Sequence, residues 1–273
     1  MRAAKRTFVI LSLALAGCRG PVVATSPTPV TASVRLFVEQ SATPLLRDLA
    51  TGYHPERTLI GWQFESGSYA ALDRYLATTP GGYAVTNYLP ADSAYWSTPI
   101  GQDALALIVN DANPIAGLSG SQLRAVFAGR VQNWREIGGA DLPLQVVARP
   151  YGSGEGEIFR SLVMGERLLT GAAQLATSSQ RVIDLVAANR GAVGFASLRA
   201  LNGAQGVHAI AFEGVLPSPD SITQGQYGLR SPLLFVGRQA PGDDDYRRFF
   251  AWVQSRDGQA IVTQNYGGLS FAR

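Results

Sequence analysis

The chain has 273 residues, 46% hydrophobic and 16% charged, which excludes bulk disorder and suits one large domain or two modest lobes. Of its 23 basic residues, Arg2, Lys5 and Arg6 fall within the first 17 positions. The remainder balances the 20 acidic residues, so no general affinity for nucleic acid is expected. Lys5 is the only lysine, which excludes Schiff-base chemistry and a lysine-bearing phosphate loop from the rest of the chain. His54 and His208 stand far apart with no second ligand at metal spacing, and Ser153 has Tyr151 where a nucleophile elbow needs glycine. No metal, no cofactor and no enzymatic activity are expected.

Residues 1–17 join a basic start to a short apolar run, Thr7 to Ala16, and Leu15-Ala16-Gly17-Cys18 follows the pattern of a bacterial lipobox. This predicts a lipoprotein signal peptide over 1–17 and lipidation of Cys18, the only cysteine. Residues 18–32, with Pro21, Pro27 and Pro29, read as a flexible tether, and the folded part is expected to begin near Ser33.

From there strand-like and helix-like segments alternate. Val34, Leu36 and Val38 predict a strand, and Ala42, Leu45, Leu46, Leu49 and Ala50 an amphipathic helix. Thr58–Phe64 reads as a strand leading into a helix with Tyr69, Leu72 and Leu76; Tyr83–Tyr88 and Asp103–Val109 read as strands. Leu123, Val126 and Phe127 mark the inner face of a helix over Ser119–Phe127. Strand Leu144–Ala148 precedes a helix with Ile158, Phe159, Leu162 and Val163 inward, and Val182, Leu185 and Val186 mark another. Ala192–Ala196, His208–Phe212 and Pro232–Val236 read as strands, and Asp243-Asp244-Asp245 opens a helix with Phe249, Phe250 and Val253. The alternation predicts an α/β architecture with largely parallel sheets.

Three strand-to-helix junctions, Ser41-Ala42-Thr43, Ser66-Gly67-Ser68 and Ser153-Gly154, are rich in hydroxyls and small residues. Such junctions serve as helix N-caps, or present N–H and O–H donors to an anion when several converge. Arg149 ends the strand before the third, where a guanidinium fork suits a tetrahedral or carboxylate anion.

Further segments carry a family resemblance: Asn113-Pro114, Leu118-Ser119, Leu123 to Arg130 and Asn133 to Gly139, then Val146 to Gly154, Gly191 to Phe195 and Tyr227 to Leu233. In order and spacing the chain resembles the phosphate-binding lipoproteins of bacterial ABC importers, over roughly residues 33–270. That resemblance implies a periplasmic-binding-protein-like (type II) clamshell: two α/β lobes joined by a hinge and closing on a ligand. Lobe one would be 33–107 plus 230–273, and lobe two 108–229. Carried over, the oxyanion site comprises Ser41 with Ala42, Ser68, Asn87, and Arg149 with Ser153, Gly154 and Glu155.

Two positions depart from the family pattern. Asn87 stands where the family's aspartate accepts the proton of monohydrogen phosphate, and Glu155 replaces a donor threonine. Glu155 either accepts the ligand's proton itself or caps its own helix and fills the anion site. The resemblance thus implies a lipid-anchored extracytoplasmic solute-binding protein, monomeric, with phosphate or a related oxyanion and ABC permease subunits as partners. The other reading is a surface-anchored sensor or interaction protein of the same fold with an altered or lost ligand.

Overall fold

The computed structural model describes residues 30–55, 58–90, 93–242 and 244–269; the expected leader 1–17, Cys18, most of the tether and Asp243 lie outside them. The first lobe opens with β1 (Val30–Glu39), α1 (Thr43–Gly52), β2 (Thr58–Gly67), α2 (Tyr69–Thr78) and β3 (Tyr83–Thr86). The long strand β4 (Trp96–Asn110) leaves it. The second lobe adds β5 (Gly117–Leu118), α3 (Gly120–Phe127), β6 (Gln145–Ala148), α4 (Gly154–Phe159), β7 (Gln174–Leu175) and α5 (Ser179–Ala187). It continues through β8 (Ala192–Ser197), β9 (Val207–Phe212) and α6 (Pro219–Thr223). β10 (Arg230–Gly237) returns to the first lobe, which closes with α7 (Asp245–Val253) and α8 (Arg256–Val262).

The parallel pairing expected from the α/β alternation holds within each lobe and fails at the crossings. β1 pairs in parallel with β2 and β3, and β6 with β7 and β8. β4 and β10 run antiparallel to each other, and β4 continues antiparallel to β8 and β9. A chain that leaves one lobe and later returns must traverse the junction in both directions, and the antiparallel pair is that traverse. Pro99 is tolerated inside β4 because that half of the strand pairs only with β10, and the register shifts beside it. β1 begins at Val30, paired with Thr58, so three residues assigned to the tether belong to the sheet.

Hydrophobic periodicity explains the cores. Alternate residues of β1 (Val34, Leu36, Val38) face Leu45, Leu46 and Leu49 of α1 and Phe249, Phe250 and Val253 of α7. Phe37 faces the other way, onto Leu72, Tyr75 and Leu76 of α2. The second lobe packs Leu123, Val126 and Phe127 of α3 with Ile158, Phe159 and Phe195, whose rings stack at 4.1 Å between centroids. Serines cap the helices that follow: Ser68 accepts from the Ala71 N–H, Ser119 from Gln122, Ser153 from Gly156 and Ser178 from Arg181. Each such cap is worth about 1 kcal/mol.

Leu162 breaks the expected inward pattern and is 43% exposed. α4 runs into a π turn, Arg160–Met164, in which the Gly165 N–H bonds to the Arg160 carbonyl. The wider turn rotates Leu162 outward and brings Val163 and Met164 into the core. The helices α6 and α8, and the short strands β5 and β7, carried too little periodicity to be anticipated.

Candidate functional site

A cleft of about 640 Å³ lies between the lobes. The first lobe contributes Ser41 from the turn before α1, Thr43 and Arg47 from α1 and Ser66 from the end of β2. The second contributes Arg149, Glu155, Ser178, Ser179, Ser197, Arg199 and Asn202. Of the eight expected ligand residues, Ser41, Arg149 and Glu155 line this cleft, and the other five do not.

Each displacement has a local cause. Ala42 turns its methyl into the core beside Leu45 and Leu49 and is 1% exposed. Ser68 and Ser153 spend their hydroxyl oxygens as N-caps, and Ser153 also donates to the Pro150 carbonyl. Ser66, two residues before Ser68, is the β2 hydroxyl that reaches the cleft, 3.3 Å from the Thr43 hydroxyl. Asn87 and Gly154 sit deeper, around a residue that the sequence did not single out.

That residue is Glu39, the last of β1 and 1% exposed. One carboxylate oxygen accepts from the Ser41 N–H at 3.0 Å and from the Ser41 hydroxyl. The other accepts from the Gly154 N–H, at 3.3 Å, across the junction between lobes. Asn87 Nδ2 donates to Ser41 Oγ at 2.7 Å, which directs the hydroxyl proton of Ser41 onto Glu39. Asn87 Oδ1 is buried and, among the described residues, has no hydrogen-bond partner. Burial pushes the Glu39 carboxyl above the ordinary range against its hydrogen bonds to Ser41, and the charge of Glu155 adds to the rise.

Arg149 and Glu155 form a buried ion pair, Nε to Oε2 at 2.6 Å, with 3% and 1% side-chain exposure. Arg149 Nη1 donates to the Ala176 carbonyl at 2.7 Å. The fork expected to grip two ligand oxygens therefore has two of its donors committed inside the protein. Glu155 is bonded within the second lobe. Its second oxygen accepts from the Ser179 hydroxyl and from the Ser197 N–H at 3.2 Å, so it holds α5 and β8 against Arg149. The positive charge left at the cleft comes from Arg47 and from Arg199, which stands 3.7 Å from Asp48 and whose buried Nε has no hydrogen-bond partner among the described residues.

A third buried carboxyl, Asp103, lies where β4 crosses between lobes. It is 2% exposed and accepts from the Ala104 N–H at 2.7 Å and from the Ser197 hydroxyl at 3.1 Å. Burial pushes it up to about 7, the hydrogen bonds to Ser197 and Ala104 pull against that, and Glu155 and Glu39 add repulsion. Asp103 carried no local signal, since it interrupts an apolar strand without a motif. Among the described residues, no group of three or more His, Cys, Asp or Glu could hold a metal, and no helix is long and apolar enough to cross a membrane.

Comparison with known proteins places this geometry. The phosphate-binding protein PstS of Bacillus subtilis is 29% identical over 165 residues, which cover 60% of this chain and 53% of that relative. The chain spans about half the length of the curated relatives it matches. An ABC-type phosphate transport receptor from Vibrio cholerae superposes with a TM-score of 0.70 at 28% identity, covering 87% of this chain and 100% of that one. A Clostridium perfringens protein solved with bound phosphate gives a TM-score of 0.75 at 24% identity, over 88% and 100% respectively, and shows the shared fold. A family model described as the PBP superfamily domain matches residues 70–257. With its two α/β lobes about a cleft, the chain belongs to the PBP superfamily.

Proposed function

We propose that the chain is the lipid-anchored, extracytoplasmic solute-binding component of an ABC importer, taking phosphate or a similar oxyanion between its lobes. The observation that carries this reading is a polar cleft between the lobes, lined by Thr43 and Ser66 from the first and Ser178 from the second, with Arg47 and Arg199 contributed by the two lobes. The hydroxyls of Ser41, Ser179 and Ser197, which also line it, are bonded to Glu39, Glu155 and Asp103. Hydroxyl and guanidinium donors converging without a metal suit an oxyanion. The names of the B. subtilis and V. cholerae proteins, one phosphate-binding and the other a phosphate transport receptor, support the ligand class and an ABC permease as partner.

In this reading the two lobes follow the expected division, 33–107 plus 230–273 and 108–229, with the first boundary moved back to the hinge, because Ala104, Leu105 and Leu107 pack in the second core, and the first lobe starting at Val30. The apolar cores change over between Ile100 and Ala104 and between Leu229 and Leu233, so the hinge centres near Asp103 and Ser231. Cys18 carries the lipid and residues 19–29 tether a monomer to the membrane. Cys18→Ser is expected to move the protein from the membrane to the soluble fraction, and retention of the variant in the membrane would overturn the anchor.

Titration calorimetry with phosphate, sulfate and small carboxylates, paired with small-angle scattering, tests the function. Saturable phosphate binding with compaction of the protein is expected. The absence of heat and of compaction with every oxyanion favours the second reading, a sensor or interaction protein of the same fold. One observation already speaks for that alternative: the N–H of Gly154 and both donors of Ser41 are held by a carboxylate of the chain itself.

A further inference from the structure

We propose that Glu39 is a tethered occupant of an oxyanion cradle built from both lobes, holding them together where a free anion would. The inference rests on the two-lobe reading above and adds a residue that sets what the site admits.

A buried carboxylate is costly unless its charge is answered, usually by arginine or lysine. Among the described residues Glu39 has neither as a hydrogen-bond partner. It is answered by two N–H groups and one hydroxyl, those of Ser41 from the first lobe and Gly154 from the second. Converging neutral donors from two facing lobes are what a clamshell offers to an oxyanion, and here a side chain on β1 fills them.

The surroundings fit that occupant closely. A Cβ at Gly154 would fall against Asn87 Oδ1 first and come within 2.8 Å of the Glu39 carboxyl carbon, so glycine is what allows the second lobe to approach both side chains. Asn87, 1% exposed, aligns the Ser41 hydroxyl with its Nδ2 and leaves Oδ1 without a donor. That carbonyl can accept an O–H from a protonated oxyanion, a role that does not require aspartate. The cradle therefore has donors for an anion and one acceptor for its proton, the pattern of monohydrogen phosphate. With Glu39 in place, both the charge and the occupied donors keep that anion out.

Glu39→Ser empties the cradle and removes the charge. Its affinity for inorganic phosphate, by calorimetry, is expected to exceed that of the parent chain by about tenfold or more. Glu39→Gln keeps the cradle filled and is expected to gain far less. An unchanged affinity in a folded Ser variant, or an equal gain in the Gln variant, overturns the proposal. Failure of the parent chain to bind any oxyanion counts against the transport reading alone; failure of the Ser variant to gain counts against the cradle.

Discussion

Arg149→Ala is expected to cost the fold about 3–5 kcal/mol, far more than removal of a ligand contact would. The guanidinium and Glu155 are almost wholly buried, at 3% and 1% exposure, and meet at 2.6 Å. Truncation leaves the Glu155 carboxylate in a low-dielectric interior with, among the described residues, the Ser179 hydroxyl and the Ser197 N–H as its remaining donors. It also strips the Ala176 carbonyl of its Arg149 donor. The loss is therefore the cost of an orphaned charge, not the net value of the pair. Removing both charges in similar volume, as Arg149→Met with Glu155→Leu, is expected to recover most of the stability, because both desolvation costs disappear together. Urea midpoints of the parent, the two single variants and the double variant close the cycle. A single variant as stable as the parent but deficient in anion binding would return Arg149 to the ligand.

The contrast with the sequence reading shows what one-dimensional pattern can and cannot carry. Strand β1 and helices α1, α3, α5 and α7 were legible because their apolar residues repeat at the period of the element, and burial follows that period. The serine junctions are legible as helix starts. Ser68 and Ser153 are caps, whereas Ser41 donates to a carboxylate.

What failed was the question of who meets whom. Glu39 and Gly154 lie 115 positions apart, and nothing near Glu39 tells an inward carboxylate from the exposed end of a strand. For Glu155 the sequence offers a ligand proton or its own helix, and no local pattern names its partners Arg149, Ser179 and Ser197, which come from the loop after β6, from α5 and from β8. Leu162 was misplaced for a different reason. One π turn changes the phase of a helix, and the residues of that turn give no warning of it.

The proton on Asp103 supplies the second large effect, and its sign is opposite to that of a salt-bridged carboxylate. The ordinary value for this side chain is 3.8, and burial raises it to about 7 in the folded protein. The groups that face it are the Ser197 hydroxyl and the Ala104 N–H, which favour ionisation, and Glu155 and Glu39, which oppose it. Between these two values the folded state keeps a proton that the unfolded state has released. The contribution of Asp103 is therefore full below about pH 4 and is lost as the pH rises through about 7. A shift of this size corresponds to about 4 kcal/mol at most. Glu39, raised in the same direction, adds to the slope. Asp103→Asn keeps an acceptor for Ala104 and Ser197 and has no proton to lose. Urea midpoints are expected to show a flatter pH dependence in the variant and a variant more stable than the parent at mildly alkaline pH. A parent-like slope in the Asn variant would move the titration to Glu39, whose removal as Glu39→Gln should then flatten the curve instead.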